Sequence, residues 1–348
     1  MTSTTTRTAR TATLVAPRSL EVFDEELPAI GATDVLLQTL YSGISAGTEM
    51  NVYRGSAALW RTRRDPDNGL FEPTDEPEWT YPMAYGYAAV SRIVEAGAEV
   101  IEVSVGDLVY TYTSHSSAAV VPAASVIVLP PLDDPRIGVL NANLNTAYNG
   151  VLDAHPNLGD VVVVSGLGVI GLIQVQLLRR LGVRVIGVDG VAERRALAER
   201  FGAEVTLEPG DHVAREVRAL TNNRGADIVI EVSGASAALN EAIRIAGYNG
   251  TVIAMSWYGG SFENLSLVGE FHHNRPRIIS SQVGGLSPDL GPLWSLKRRQ
   301  EVVSSLMGEL DLEPLITHER PIEEAAEAYR IVDSRPNDLV QFVLTYTD

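Results

Sequence analysis

The chain has 348 residues and a formal net charge of −17. That length permits two domains with separate cores, and that charge disfavours nucleic acid or any other polyanion as a partner. There is no cysteine, which excludes disulfides, thiolate catalysis and thiolate metal sites. No apolar run is long enough to cross a bilayer, so no membrane partner is expected.

The first dozen residues, MTSTTTRTARTA, lack the apolar core of a secretory signal and read as a frayed tail of a cytoplasmic protein. Short strand-like runs follow at 12–15, 35–40, 88–94, 108–113 and 125–129. Turn signals such as Pro28, Gly97 and Gly106 separate them, and this spacing predicts an all-β, barrel-like unit. Between Trp60 and Tyr81 lies a polar insert rich in Pro and Asp. It reads either as a surface loop or as a lid over a cleft.

The middle third changes period. Strands are expected at 161–165, 183–189, 204–207, 227–232, 251–255 and 277–282, with helices at 169–181, 192–201, 212–220 and 235–246. Gly182, Gly202 and Gly247 fall just past three of these helices, where a left-handed cap is usual. Asp211 is placed to cap the 212–220 helix. Alternating strands and helices predict an α/β, doubly wound parallel sheet of the Rossmann type.

Its opening segment, VVVVSGLGVIGLIQVQLLRRLGVRVIGVD at 161–189, spells a dinucleotide site in order: strand, G-x-G-x-x-G, helix, strand, Asp. Gly166 allows the tight turn, Gly168 lets the backbone approach a pyrophosphate, and Gly171 lets the helix pack closely. Val169 and Ile170 open a helix whose free N–H groups face the phosphates. Asp189 stands where an acid binds the adenosine ribose diol. It repels a 2′-phosphate, which favours NAD over NADP. Arg194 is placed to cover the adenine or ribose. With Arg195 it could instead hold a 2′-phosphate, which keeps NADP open. Ser233 and Gly234 follow the fourth strand and Ser256 the fifth, at the carboxyl edge where such ligands bind.

Beyond residue 282 a Gly/Pro-rich stretch, VGGLSPDLGP, precedes helices at 297–310 and 322–332 and a last strand at 339–346. That strand is expected to return to the first unit. The expected domains are therefore 1–142 with 285–348, and an inserted dinucleotide domain at 143–284.

This order resembles the medium-chain dehydrogenase/reductases, over nearly the whole chain. The resemblance runs through SGISAGTEMNVYRG at 42–55, YPMAYGYAAVSRIVEAG at 81–97 and GDLVYTY at 106–112. It continues through NTAYNGVLDA at 145–154, ADIVIEVSG at 226–234 and YNGTVIAMSWYGG at 248–260. The segment FHHNRPRIISSQVG at 271–284 is similar to a zinc-lacking subgroup related to bacteriochlorophyllide dehydrogenases. The resemblance implies a GroES-like β-barrel catalytic domain beside the Rossmann domain. By the same analogy a homodimer paired through the sheet edge is plausible.

The departures from the zinc-containing members are informative. Those members place Cys where this chain has Ser45 or Ala46, and Gly-His-Glu where it has Gly86, Tyr87 and Ala88. Ala142 is the nearest equivalent of the third ligand, and the four-cysteine loop after Val109 is missing. A catalytic zinc needs three protein ligands, so zinc-free chemistry is expected.

Four residues are then candidates for catalysis. Thr48 matches the family's proton-relay hydroxyl, with the alternative that it bonds its own backbone. Glu49 matches the adjacent acid, as a base or as a structural carboxylate. Tyr87 replaces a zinc-ligand His and either binds the substrate oxygen or fills the vacated space. His115 is a proton acceptor near the cleft or a structural hydrogen-bonder. Thr146 matches the family's nicotinamide contact. Arg275 is placed to reach the cofactor or an acidic substrate group, and His272 or His273 the cleft. Trp60, Trp79, Tyr85 and Trp257 are expected to shape the substrate pocket.

The implied activity is a zinc-independent NAD(P)-dependent alcohol dehydrogenase. Its substrate would be a small molecule with a secondary hydroxyl of sugar, cyclitol or secondary-metabolite type. An NADPH-dependent enoyl or quinone reductase and a catalytically inactive nucleotide-binding protein are the alternatives.

Overall fold

The computed structural model describes residues 7–56, 60–77, 79–258 and 265–346. The chain divides into two compact units, Met1–Asn141 with Ile316–Asp348, and Ala142–Leu315. No helix among the described residues is long and apolar enough to cross a membrane.

The second unit is built on six parallel strands. Their order across the sheet is Val205–Leu207, Arg184–Val188, Val161–Ser165, Ala226–Glu231, Ala246–Ala254 and Arg277–Ser280. The sequence direction reverses at Val161–Ser165, which makes the crevice beyond its carboxyl end the topological switch point. Every residue of that strand is buried, because a parallel sheet is covered on both faces and can be apolar throughout. The helices Val169–Arg180, Ala192–Arg200, Val213–Leu220 and Ser236–Ile245 lie close to their expected positions.

Local details differ from expectation. Gly182 and Gly202 have the positive φ of helix caps, at 75° and 107°. Gly247 does not: it lies inside the strand Ala246–Ala254, which starts directly after the helix. Asp211 does not cap the following helix. His212 takes the N-cap position without a side-chain bond, and the Ala214 N–H is satisfied by Glu241 instead. A further helix, Asn141–Ala154, belongs here too, although its Asn- and Gly-rich sequence is a poor helix former.

Residues 285–315, expected with the first unit, pack in the second. Arg299, on the helix Leu296–Met307, is buried and donates to Asn149 Oδ1 at 2.5 Å, the Val283 carbonyl at 2.6 Å and the Gly285 carbonyl at 3.1 Å. Gln176 exchanges two bonds with the Asp311 backbone. A buried guanidinium without acceptors is costly, so these carbonyls anchor the segment.

The first unit is a mixed β structure: a seven-stranded sheet, a three-stranded sheet and the two-stranded hairpin Thr62–Arg64 with Phe71–Pro73 inside the polar insert. The strand Asp34–Ile44 is central, pairing with Ala89–Ala96, Ala118–Pro122 and the final strand Gln341–Thr345. The chain end thus returns as expected. The supposed tail is corrected from residue 8 onward, because Thr8–Ala16 is a strand paired with Ser19–Glu26 and carries a buried Leu14. Residues 1–6 lie outside the described residues.

Candidate active site

In the first unit the strand Asp34–Ile44 leads into a one-and-a-half-turn helix, Thr48–Tyr53. This brings Ser42, Ser45, Thr48 and Glu49 to one place. Glu49 is fully buried. Its Oε1 accepts the Ser45 backbone N–H at 2.9 Å, and its Oε2 meets His115 Nε2 at 2.9 Å and accepts the Tyr329 phenol at 2.5 Å. His115, also fully buried, turns its Nδ1 to Ser42 Oγ at 2.6 Å, and Ser42 Oγ meets the Tyr346 hydroxyl at 2.7 Å. One continuous hydrogen-bonded line therefore runs Tyr329, Glu49, His115, Ser42, Tyr346.

Of the two expectations for His115, its full burial agrees with the structural hydrogen-bonder and not with a proton acceptor at the cleft. The space around it is closed: an ideal Cβ on Gly86 would lie 2.8 Å from the His115 backbone nitrogen and 2.9 Å from its ring. Removing one partner of such a buried, hydrogen-bonded pair costs about 3–5 kcal/mol.

Thr48 and Tyr87 are only half-buried. The side-chain hydroxyls of Ser45 and Thr48 bear on the Tyr87 phenol and favour its ionised form. Burial, and secondarily the charge of Glu49, outweighs them and pushes it well above the ordinary tyrosine range. It is a neutral donor at any physiological pH. An aromatic run extends from it: Tyr87 packs edge-on against Tyr85, Tyr85 against Trp79, and Trp79 against Trp60, which stacks on Tyr81 at 4.3 Å. Burial likewise raises Tyr85 to about 12. Three of the four aromatic residues expected around the pocket thus stand together; Trp257 belongs to the second unit.

In the second unit the fingerprint takes its expected form. Gly166 has φ 102°, a conformation open to glycine. A Cβ on Gly171 would lie 1.9 Å from the Gly166 carbonyl oxygen and 3.4 Å from Val164, so the close approach is to the loop as well as to the strand. A Cβ on Gly168 would meet nothing within 4 Å, which leaves an open approach to the backbone there. Gly168 is the N-cap of Val169–Arg180 and no side chain caps that helix. Its first N–H groups, on Val169, Ile170 and Gly171, are therefore available to an anion.

Asp189 directly follows the adjacent strand Arg184–Val188, half-buried, and accepts the Leu167 N–H at 2.7 Å and the Val191 N–H at 2.8 Å. Each oxygen keeps a lone pair for a ribose hydroxyl. Arg195 donates to the Asp189 carbonyl at 2.7 Å, and Arg194 is half-buried on the same helix. Ser233, Gly234 and Ser256 are brought together, the Gly234 N–H donating to Ser256 Oγ at 2.9 Å. Thr146 bonds back to the Ala142 carbonyl within its own helix, and Arg275 is an exposed, left-handed C-cap; neither has a hydrogen bond to this group. The residues present thus fit an adenine dinucleotide.

Among the described residues no group of three or more His, Cys, Asp or Glu side chains could hold a metal.

With this fold and these two sites, the chain belongs to the medium-chain dehydrogenase/reductase superfamily, and it is an NAD(P)-linked oxidoreductase of the alcohol and sugar dehydrogenase type. It is 32% identical over 344 residues to D-guloside 3-dehydrogenase of Escherichia coli (strain K12), covering 95% of this chain and 98% of that protein. It is 25% identical to L-threonine 3-dehydrogenase of Pyrococcus abyssi, over 93% of this chain and 95% of the relative. A family model described as "Zinc-binding dehydrogenase" matches residues 169–297, within the second unit. Among solved structures, 2R,3R-butanediol dehydrogenase from Bacillus subtilis superposes with a TM-score of 0.78 at 20% identity, covering 97% of this chain and 99% of that one.

Sequence reasoning missed Ser42, Tyr329 and Tyr346 in the first unit, and Glu231 and Tyr258 in the second. Ser42 sits in a strand, Tyr346 directly after one and Tyr329 in a helix with apolar periodicity, where each reads as core. Glu231 carried a usable signal, an acid directly after the apolar run Ile228–Ile230.

Proposed function

We propose that the chain is a zinc-independent, NAD-dependent dehydrogenase that oxidises a secondary hydroxyl of a sugar-like substrate to a ketone. The observation that carries this reading is the hydroxyl cluster of Tyr87, Thr48 and Ser45 beside the buried Glu49–His115 pair. It offers a substrate oxygen both a donor and an acceptor where no group of three metal ligands stands among the described residues. A bound nicotinamide supplies the hydride acceptor. The chain's own residues must orient the hydroxyl and take its proton. Tyr87, neutral, donates to the substrate oxygen. Thr48 Oγ relays the proton, taking it from the substrate hydroxyl as it passes its own on to solvent water, and Glu49 is the carboxylate whose charge bears on this cluster.

The substrate class is supported by two features. One is the name of the relative from Escherichia coli. The other is the run of Trp60, Trp79, Tyr85 and Tyr87, since flat aromatic faces suit the C–H faces of a sugar ring. Asp189 favours NAD over NADP. The zinc-lacking subgroup related to bacteriochlorophyllide dehydrogenases is the branch in which we place the chain. Among the described residues the edge strand Arg277–Ser280 pairs on one side only and exposes Ile278, which supports pairing with a second copy.

A panel of glycosides, cyclitols and simple secondary alcohols, each offered with NAD and NADP and followed by nicotinamide absorbance, tests the reading. NAD reduction with a glycoside is the expected result. Turnover only of enones or quinones with NADPH would replace it.

A further inference from the structure

The loops that follow the fourth and fifth strands of the parallel sheet are tied together by one buried carboxylate. Glu231 closes the strand Ala226–Glu231 and is fully buried. Its Oε1 accepts the Ser233 N–H at 2.8 Å and the Ser233 hydroxyl at 2.5 Å. Its Oε2 accepts the Ser256 hydroxyl at 3.1 Å and the Tyr258 phenol. Ser256 Oγ in turn accepts the Gly234 N–H. Four donors converge on one carboxylate, close to its full acceptor capacity. Burying such a group is expensive, and the preceding residues Ile228, Val229 and Ile230 show that this strand packs well with apolar side chains. What the carboxylate adds is the fixed position of two loops at once.

Those loops border the dinucleotide crevice. An ideal Cβ on Gly166 would lie 2.7 Å from the Ser233 nitrogen, so the Ser233 turn packs directly on the first fingerprint glycine. Asp189 follows and Glu231 ends the two strands that flank Val161–Ser165 on opposite sides. With its pyrophosphate at the N-terminus of Val169–Arg180 and its adenosine ribose at Asp189, a dinucleotide lays its other half on the Glu231 side.

We propose that Glu231 is a positioning residue for the nicotinamide half of the cofactor. Through Ser233, Ser256 and Tyr258 it sets residues 233–234 and 256–258, against which the nicotinamide ribose and ring rest. It acts without touching the cofactor. The inference rests on the dinucleotide reading of this crevice.

The test is titration of wild type, Glu231→Gln and Tyr258→Phe with NADH, followed by nicotinamide fluorescence, and with AMP, followed by calorimetry. AMP occupies only the adenosine half. In Glu231→Gln the side-chain volume is kept, but an amide N–H₂ replaces one acceptor and two of the four donors must turn. The expected result is a dissociation constant for NADH raised by about tenfold or more, with that for AMP held within about twofold. Tyr258→Phe should shift the same ratio in the same direction by about threefold or more, and it decides the matter if Glu231→Gln does not fold. Unchanged NADH binding in the variants would overturn the inference, and so would equal weakening of NADH and AMP, which marks a general packing role. Wild-type protein that binds neither nucleotide would overturn the dinucleotide reading itself, an outcome separate from these.

Discussion

Asp189→Ala separates two jobs that the structure gives one carboxylate. The side chain holds the Leu167 and Val191 N–H groups at 2.7 and 2.8 Å, and so shapes the fingerprint loop. Its remaining lone pairs are the ones available to a ribose diol. Each charge-assisted bond to that diol contributes about 1.5–3 kcal/mol, so the loss of one raises the NADH dissociation constant by roughly 10- to 150-fold. Leu167 is fully buried, and its orphaned N–H adds about 1–3 kcal/mol of destabilisation to the free protein. NADPH behaves differently, because its 2′-phosphate is repelled by the carboxylate in the wild type and loses that repulsion in the variant. Fluorescence titrations with NADH and NADPH should therefore show NADH weakened and the NADPH-to-NADH affinity ratio raised. If both coenzymes weaken by one common factor, Asp189 only shapes the loop, and the assignment of the adenosine ribose to it is refuted.

Two further predictions concern the sites. Tyr87→Phe should lower kcat for alcohol oxidation by about 10²–10³-fold, the usual loss on removing one hydrogen-bond donor to the reacting oxygen. Burial holds the wild-type phenol above its ordinary range, so it stays protonated up to at least about pH 10. The alkaline side of the wild-type pH–rate profile should accordingly show no step from Tyr87 below that pH, and a step present in the wild type but lost in the variant would argue that the phenolate is the working form. Gly171→Ala forces a methyl to within 1.9 Å of the Gly166 carbonyl oxygen. A loss of about 1–3 kcal/mol in denaturant unfolding, together with weakened NADH binding, is expected; wild-type values for both would show that the loop yields easily.

The parallel sheet was the more legible half of the fold, for a physical reason. Strands buried on both faces, such as Val161–Ser165, must be continuously apolar, and the helices between them carry a clear period. The first unit is harder. Ser19–Glu26 has Leu20 as its only fully buried residue, so its apolar signal is too thin to read. Ile316–Pro321 has no fully buried residue at all. Thr48–Tyr53 is too short for a periodicity to emerge.

The same contrast holds at the sites. The glycine fingerprint and Asp189 lie within one local segment, and spacing alone marks them. Glu49 and His115 were singled out, yet not as a bonded pair, because residues 42, 49, 115, 329 and 346 lie far apart in sequence and meet only in the folded first unit. Burial then separates the alternatives that the sequence left open: the histidine is enclosed, while the tyrosine is only half-buried. The junction near residue 285 was misplaced because the Gly/Pro-rich stretch there signals a turn, whereas the Arg299 bonds that keep the segment in the second unit are long-range.

The central claim is oxidation of a sugar hydroxyl without metal. Its most direct test is turnover of a glycoside with NAD by protein stripped with a chelator, with metal content measured on the same sample. Undiminished NADH formation at negligible zinc content is predicted. Activity that disappears on stripping and returns in proportion to one added zinc per chain would contradict the account.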